Sequence, residues 1–191
     1  MSFVPINKYL SEYLRLKCCS DLSAAGLWPN AKEITESMGA FNAVRNYIIK
    51  GENEESKNKK FGRKDIGLVS VGDGGTPRTA ALFACRTAWE CWSIDPALNI
   101  NKHWPFNRLH TEKRKVEDVV LDMTMFEVCI IVMVHSHASI NSTLANIKAK
   151  ERHLVTIPCC VPHTIENKPY IGYTDKNIAS PKNEVKIWTN I

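Results

Sequence analysis

The amino-acid sequence predicts an α/β fold: a mostly parallel sheet with helices on both faces, an antiparallel C-terminal hairpin and a helical N-terminal extension. Apolar runs rich in β-branched residues at 66–71 and 126–134 indicate strands that are buried on both faces. Helical patterns separate the apolar runs, which is typical of a parallel sheet. Two extended pieces, 170–173 and 184–188, flank a polar turn and predict the hairpin at the sheet edge.

The chain of 191 residues is divided by its pattern into a helical extension with a polar loop, 1–63, and a sheet domain, 64–191. Apolar residues recur at helical spacing within the extension. No apolar side chain occurs between Lys50 and Lys60, and such a stretch cannot bury enough surface to offset its ordering entropy. We therefore expect an exposed loop there.

One stretch near the middle combines a buried strand, a glycine-rich turn, a helix and a second strand. In the turn, Gly72–Gly75, the missing Cβ atoms let the backbone bend sharply and approach a ligand closely. Thr76 is predicted to cap a helix that runs roughly from Pro77 to Trp89. The second strand ends at Asp95, about 20 residues beyond the turn, a layout that binds the ribose of a nucleoside-containing cofactor.

Polar clusters also follow two later strands at their C-terminal ends. His135–Ala138 come directly after the most apolar run, and a helix is predicted over 140–151. The next strand, 154–157, ends in Pro158–Cys160. Because ligands of open α/β sheets bind beyond the carboxyl ends of the strands, these clusters are expected at the functional edge.

The composition of the chain indicates its cellular compartment and the classes of partner it could bind. The chain has no apolar run near the ~18 residues of a membrane span, and its N-terminus lacks the basic start and continuous apolar core of a signal peptide. Seven cysteines, an odd number and partly in adjacent pairs, do not resemble a disulfide framework, so we expect a reducing, cytoplasmic setting. A net charge of +5 is compatible with RNA as partner, and equally with a solvated surface carrying surplus lysine.

Two classes of cofactor use this layout. A dinucleotide fingerprint needs a third glycine for close helix–strand contact, and Arg78 occupies that place, which counts against NAD. S-adenosylmethionine fits better: its carboxylate can meet backbone amides of Gly72–Thr79, and its ribose hydroxyls can meet Asp95. Its adenine can meet Glu117-Asp118, which follow a third strand expected within 108–116.

Three segments carry a resemblance to a known family: VSVGDGG at 69–75, Ile94-Asp95, and Val116-Glu117-Asp118. Over about residues 64–191 the chain resembles class I S-adenosylmethionine-dependent methyltransferases, which have a Rossmann-like fold. The resemblance implies an enzyme that binds S-adenosyl-L-methionine. The residues it implies as cofactor-binding are Gly72, Asp73, Gly74, Gly75, Thr76, Arg78, Thr79, Asp95, Pro96, Glu117 and Asp118.

A narrower resemblance concerns residues 134–138 together with 157–160. They are similar to a methyltransferase subgroup that carries leucine-His-x-Cys-Gly and Pro-Cys-Cys segments and includes tRNA ribose methyltransferases. His137 stands where that subgroup has cysteine, and no glycine follows it. This resemblance implies RNA as the methyl acceptor.

Methyl transfer requires alignment of donor and acceptor, and sometimes removal of a proton from the acceptor. Histidine suits proton removal, so His135 and His137 are the catalytic candidates; the alternative is a strand-end histidine bonded to backbone. Cys159, Cys160 and His163 are predicted to line the substrate site, or simply to pack. No metal site is expected, since adjacent cysteines rarely both reach one zinc ion.

Three further observations leave alternatives open. Arg78 in the first turn of a helix is unfavourable against the helix dipole, which indicates an anionic partner such as the methionine carboxylate or a substrate phosphate. The glycine turn, Asp95 and the histidines could also form a metal-dependent phosphoesterase, although a second metal-binding acid is missing nearby. A non-catalytic scaffold or partner subunit with the same fold is the main alternative to an enzyme, because no acceptor motif is fixed.

Overall fold

The computed structural model describes residues 6–49, 53–161, 165–166 and 168–191. Within these ranges the helices are α1 (Lys8–Leu14), α2 (Cys19–Ala24), α3 (Ala31–Ala43), α4 (Glu54–Phe61), α5 (Arg78–Arg86) and α6 (Ile140–Asn146). The strands are β1 (Ile66–Val71), β2 (Glu90–Ile94), β3 (Leu109–Glu112), β4 (Leu121–Asp122), β5 (Val128–Val134), β6 (Ile147–Lys148), β7 (Glu151–Ile157), β8 (Ile171–Thr174) and β9 (Glu184–Thr189). A π-helical turn, Val44–Ile48, continues α3, and a 3₁₀ turn, Val116–Asp118, follows β3.

Seven strands form one sheet in the order β3-β2-β1-β5-β7-β9-β8. The first five run parallel, and β9 pairs antiparallel with both β7 and β8. The mostly parallel, Rossmann-like sheet with antiparallel C-terminal strands is therefore confirmed. The strand order reverses between β1 and β5, so the loops after these two strands diverge and leave a crevice at that edge.

The central strands separate two apolar cores. Along β1, Leu68 packs into one core and Val69 into the other, and along β5 Ile130 and Ile131 do the same. All four side chains are completely buried. This alternation with burial on both faces is the physical reason for the unbroken apolar runs in the sequence.

The N-terminal helices share a core with the sheet. Tyr9 and Tyr13 of α1 and Phe41 of α3 belong to the same buried cluster as Leu68 of β1. The Tyr9 hydroxyl donates to the carboxylate of Asp175, and burial together with this bond raises the pKa of Tyr9. The extension is thus packed directly on one face of the sheet. Among the described residues no helix is both long and apolar enough to cross a membrane.

The exposed loop predicted over Lys50–Lys60 is wrong for residues 54–60, which belong to α4; Lys50–Glu52 lie outside the described residues. The helix begins with a capping box, in which Asn53 and Ser56 each accept a bond from the other's backbone amide. It ends on Phe61, the first apolar residue after the polar run. Composition alone missed the helix because its anchor lies at its last residue.

Two other helices are shorter than predicted. The helix after the glycine turn begins at Arg78 and ends at Arg86, since Thr87 is extended and its hydroxyl bonds the Phe83 carbonyl at 2.8 Å. The helix predicted over 140–151 ends at Asn146 and gives way to β6, which pairs with β4. These short strands cover the core that contains Val69 and Ile131.

Replacing Phe61 with alanine is expected to destabilise the protein by about 3–5 kcal/mol, the usual cost of removing a buried aromatic ring. Phe61 is 6% exposed, and its ring centroid lies 5.5 Å from that of Phe41 and 5.6 Å from that of Trp89. Urea denaturation measures the change. Leu14→Ala is the control: its side chain is 63% exposed, and its loss should cost within about 0.5 kcal/mol. Equal losses in the two variants would show that α4 is not anchored as described.

Candidate cofactor-binding site

A cleft of about 550 Å³ opens at the sheet edge where the strand order reverses. It is bounded by the loops that follow β1, β2, β3 and β5. Six of its lining residues bear on ligand binding: Gly72, Asp95, Pro96, Glu117, Asp118 and His137. Five of these six belong to the predicted cofactor-binding set, and the sixth is a predicted catalytic residue.

Two other cavities, of about 610 and 680 Å³, lie along the loop that contains Lys102–Asn107. Both are slightly larger than the cleft, but neither borders the glycine turn or the loops after β1 and β5. Because ligands of doubly wound sheets bind at the switch point, the cleft is the functional candidate.

Gly72 sets the floor of the cleft. Its φ of 86° lies in the left-handed region, and a Cβ built there would stand 2.2 Å from Ser136 Oγ. Ser136 is buried, and its Oγ accepts a bond from the Ala138 amide at 3.1 Å. The loops after β1 and β5 therefore cross at a separation that only glycine permits.

Asp95 is held in place by two backbone amides. Its Oδ2 accepts a bond from Gly74 N at 2.8 Å, and its Oδ1 accepts one from Ala97 N at 2.7 Å. Each carboxylate oxygen has a second lone pair, and the half-buried residue borders the cleft. The carboxylate is thus pre-oriented to accept bonds from two neighbouring hydroxyl groups.

Asp73, the other acid of the turn, faces the protein interior. It is 2% exposed, and its carboxylate accepts bonds from Thr79 N at 3.2 Å, Ala80 N at 3.3 Å and Ser93 Oγ at 2.9 Å. It therefore caps α5, and the predicted capping by Thr76 is wrong. The Thr76 hydroxyl donates instead to the Leu27 carbonyl at 2.5 Å.

The first turn of α5 faces the N-terminal extension. The guanidinium of Arg78 pairs with the carboxylate of Glu33 on α3, so the chain itself provides an anionic partner. Thr79 is buried, with its hydroxyl 3.2 Å from Ser37 Oγ. Of the predicted cofactor-binding residues, Asp73, Thr76, Arg78 and Thr79 make these internal contacts, while Gly74 and Gly75 complete the turn.

The 3₁₀ turn Val116–Asp118 forms the wall opposite the glycine turn. Glu117 and Asp118 are exposed at the rim, and Val116 is buried below them. Asn146 of α6 fixes the turn by donating to the carbonyls of Val116 at 2.8 Å and Glu117 at 3.2 Å. Sequence reasoning missed Asn146, because a lone asparagine at a helix end carries no signal of this contact.

The two candidate catalytic histidines point to different surroundings. His135 has a φ of 51°, and its Nε2 forms a 3.0 Å hydrogen bond with the Lys182 carbonyl. His137 borders the cleft, and its Nε2 lies 3.1 Å from Cys160 Sγ. The left-handed backbone at His135 makes the bend that separates the two rings. Only His137 faces the cleft.

Glu36 of α3 is a buried carboxylate that sequence reasoning missed. It is 3% exposed, forms an ion pair with Lys32 Nζ at 2.7 Å, and has its Oε1 3.8 Å from His135 Nδ1. The spacing of four residues to Lys32 was its one sequence signal. Its approach to His135 depends on the packing of α3 beside the end of β5.

The cysteine pair after β7 lies next to His137. The two sulfur atoms are 3.6 Å apart, and Cys159 Sγ donates to the His135 carbonyl at 3.6 Å. Partial burial opposes ionisation of Cys159, but hydrogen bonds from nearby amides and from Cys160 lower its pKa. The same thiol pairing raises the pKa of Cys160. His163, the third predicted substrate-lining residue, lies outside the described residues.

No protein-family model and no curated protein matches the sequence. Among solved structures, a cyclopropane-fatty-acyl-phospholipid synthase-like protein from Lactobacillus casei is 13% identical, with a TM-score of 0.39. That match covers 72% of this chain, which spans little more than half, 57%, of the other protein. A mutant of MtNAS, a nicotianamine synthase, is 9% identical with a TM-score of 0.45, over 95% of this chain and 74% of that one. Function is therefore inferred from the site.

Gly72→Ala is expected to destabilise the protein by at least about 2 kcal/mol, because it combines left-handed backbone strain with overpacking against Ser136. The matched control is Gly172→Ala in β8, where the nearest atom to a new Cβ is Val185 O at 4.0 Å. The control should stay within about 1 kcal/mol of the wild type. Chemical denaturation of both variants measures the difference. Similar stabilities would contradict the close crossing of the two loops.

Proposed function

We propose that the protein binds S-adenosylmethionine in the cleft and transfers its methyl group to an acceptor. The observation that carries the proposal is the carboxylate of Asp95, fixed by the amides of Gly74 and Ala97 beside a left-handed Gly72 at the switch point. An acid after the second strand, beside a glycine turn, is the arrangement that accepts ribose hydroxyls.

The residues present fit the parts of this cofactor. Asp95 would hold the ribose, and the wall formed by Ile94, Val116 and the acids Glu117 and Asp118 would enclose the adenine, with apolar surface below and polar groups at the rim. The amides of Gly72 and Gly74 already donate within the protein. We therefore assign the methionine end to the other side of the cleft, near Gly72 and His137.

The acceptor would approach from the loops after β5 and β7. His137 borders the cleft, and Cys159 and Cys160 lie beside it. The cofactor supplies an activated methyl group when bound. The protein's own contribution is to align the acceptor with that group and to manage the acceptor's proton, for which an imidazole is suited near neutral pH.

RNA is the acceptor class that we propose. The net charge is +5, and the exposed basic run Lys113–Lys115 leads directly into the wall of the cleft, which Lys115 lines. Arg114 in this run pairs with Glu112 at 3.1 Å. A basic rim beside the site would contact phosphate groups of a bound strand.

Asp95→Ala should weaken binding of S-adenosylmethionine and of its demethylated product by at least about tenfold, since an unpaired ligand hydroxyl costs roughly 1–3 kcal/mol. Isothermal titration calorimetry measures both affinities. Asp122→Ala, which removes an exposed carboxylate of β4 outside the cleft, is the control and should bind like the wild type. A wild-type protein that binds neither compound would refute the proposed function, and equal affinities of all three proteins would refute the ribose contact.

An enzyme and a non-catalytic scaffold are distinguished by whether the methyl group of the bound donor is transferred. With methyl-labelled S-adenosylmethionine and total RNA, the enzyme transfers label to RNA, and a scaffold binds the donor without transfer. Label that instead enters protein or small molecules would retain the methyltransferase and exclude RNA as the acceptor.

Affinity for single-stranded RNA is expected to fall steeply with salt, because each phosphate contact contributes about 0.7 to the log–log slope. The double variant Lys113→Gln/Lys115→Gln should reduce that slope by about 1.4, because it removes two phosphate contacts. The control, Lys64→Gln/Lys150→Gln, removes two exposed lysines that precede β1 and β7, at the opposite edge of the sheet. Fluorescence anisotropy at several salt concentrations measures the slopes. A flat wild-type response would exclude RNA.

A further inference from the structure

Three metal-ligating side chains converge beside the cleft: His137, Cys159 and Cys160. Cys160 Sγ lies 3.1 Å from His137 Nε2 and 3.6 Å from Cys159 Sγ, and all three ligand atoms fall within 4.8 Å of one another. His137 and Cys160 are exposed, and Cys159 is half-buried. An ion can therefore reach the cluster from solvent.

The two shorter separations are close to the edges of a tetrahedral zinc site, and the third, between His137 and Cys159, is at most 4.8 Å. With Zn–S bonds of about 2.3 Å and Zn–N bonds of about 2.0–2.1 Å, tetrahedral angles place two sulfurs about 3.8 Å apart and a sulfur and nitrogen about 3.5 Å apart. The observed 3.6 and 3.1 Å require shifts of a few tenths of an ångström. The two adjacent cysteines do present their sulfur atoms on one side, contrary to the expectation from sequence.

The fold fixes the loops that carry the three ligands. They follow β5 and β7, which are adjacent parallel strands in register from Val128 to Val134. Beyond the last pair, the His135 amide donates to the Ile157 carbonyl at 2.8 Å. The Cys159 thiol donates to the His135 carbonyl at 3.6 Å in the metal-free protein, and zinc would replace that proton. The cluster is thus held by a sheet edge and is not a chance meeting of surface loops.

We propose that His137, Cys159 and Cys160 bind Zn²⁺ and leave its fourth coordination position open. Two thiolates and an imidazole are a donor set that suits zinc and disfavours magnesium or calcium, which prefer oxygen ligands. Three protein ligands with one open position are the composition of catalytic zinc sites, whereas structural sites are closed by four.

The fourth coordination position of the zinc ion lies where a methyl acceptor could bind. This part of the proposal rests on the proposed function. His137 belongs to the cluster and also lines the cleft, so an O–H or S–H group of the acceptor bound to the ion would lie beside the methyl donor. The bound group loses its proton to solvent. Its heteroatom then bonds to the methyl carbon as the carbon–sulfur bond of the donor breaks, with the electron pair left on sulfur. With zinc bound, His137 acts on the acceptor's proton through the ion, as a ligand, in place of the direct proton acceptance that a free imidazole would provide there.

Titration of the metal-free, reduced protein with Co²⁺ and then Zn²⁺ tests the site. We expect one ion per chain, with a sulfur-to-cobalt charge-transfer band and the intense visible bands of tetrahedral cobalt, all abolished by stoichiometric Zn²⁺. Cys159→Ser, Cys160→Ser and His137→Gln should each weaken zinc binding by at least about 100-fold, the upper end of what losing even a supporting contact costs. Circular dichroism confirms that each variant is folded.

The matched controls are Cys18→Ser and Cys85→Ser, which alter a thiol pair elsewhere in the protein and should leave zinc affinity unchanged. Absence of the cobalt bands, or wild-type zinc affinity in the Cys159 and Cys160 variants, would overturn the proposal. Binding of S-adenosylhomocysteine to the metal-free wild-type protein, expected at the affinity of the zinc-loaded protein, reports on the cleft separately. Loss of the metal site and failure of the proposed function are thus distinguished.

Discussion

The buried carboxylate of Asp73 is the interaction on which the site depends. A charge that is 2% exposed is costly unless it is fully hydrogen-bonded, and here two amides at the start of α5 and the hydroxyl of Ser93 satisfy it. The positive end of the helix adds favourable electrostatics. One side chain thereby joins the glycine turn, α5 and β2, and leaves the Gly74 amide free to hold Asp95.

The two acids around the turn have different surroundings, and under the proposed function one stabilises the fold while the other binds the ligand. Asp73 uses its oxygens inside the protein, whereas Asp95 receives one amide bond on each oxygen and keeps a lone pair on each for a ligand. Gly72 completes the arrangement, because its lack of a Cβ lets the crevice form directly against Ser136. Binding geometry is thus set by backbone placement more than by the number of polar side chains.

The strand pattern and the position of Asp95 could be predicted from the sequence. Continuous apolar runs and a glycine-rich turn are signals that lie within a short stretch of the chain. The partners of Arg78 and His135 could not, since Glu33 and Glu36 lie far upstream and meet them only when α3 packs on the sheet. Convergence of His137 with Cys160 likewise depends on the pairing of two strands that are separated in sequence. Composition also hid α4, whose stability comes from a cap and one terminal aromatic ring.

The most direct test of the account is a crystal structure of the protein with S-adenosylhomocysteine at saturating concentration. We expect the ribose hydroxyls to bond to the carboxylate of Asp95 and the adenine to lie against Val116 beside Glu117 and Asp118. The thioether would then point toward His137. A ligand bound elsewhere, or a cleft that excludes it while the rest of the fold is unchanged, would contradict the assignment of this edge as the site of methyl transfer.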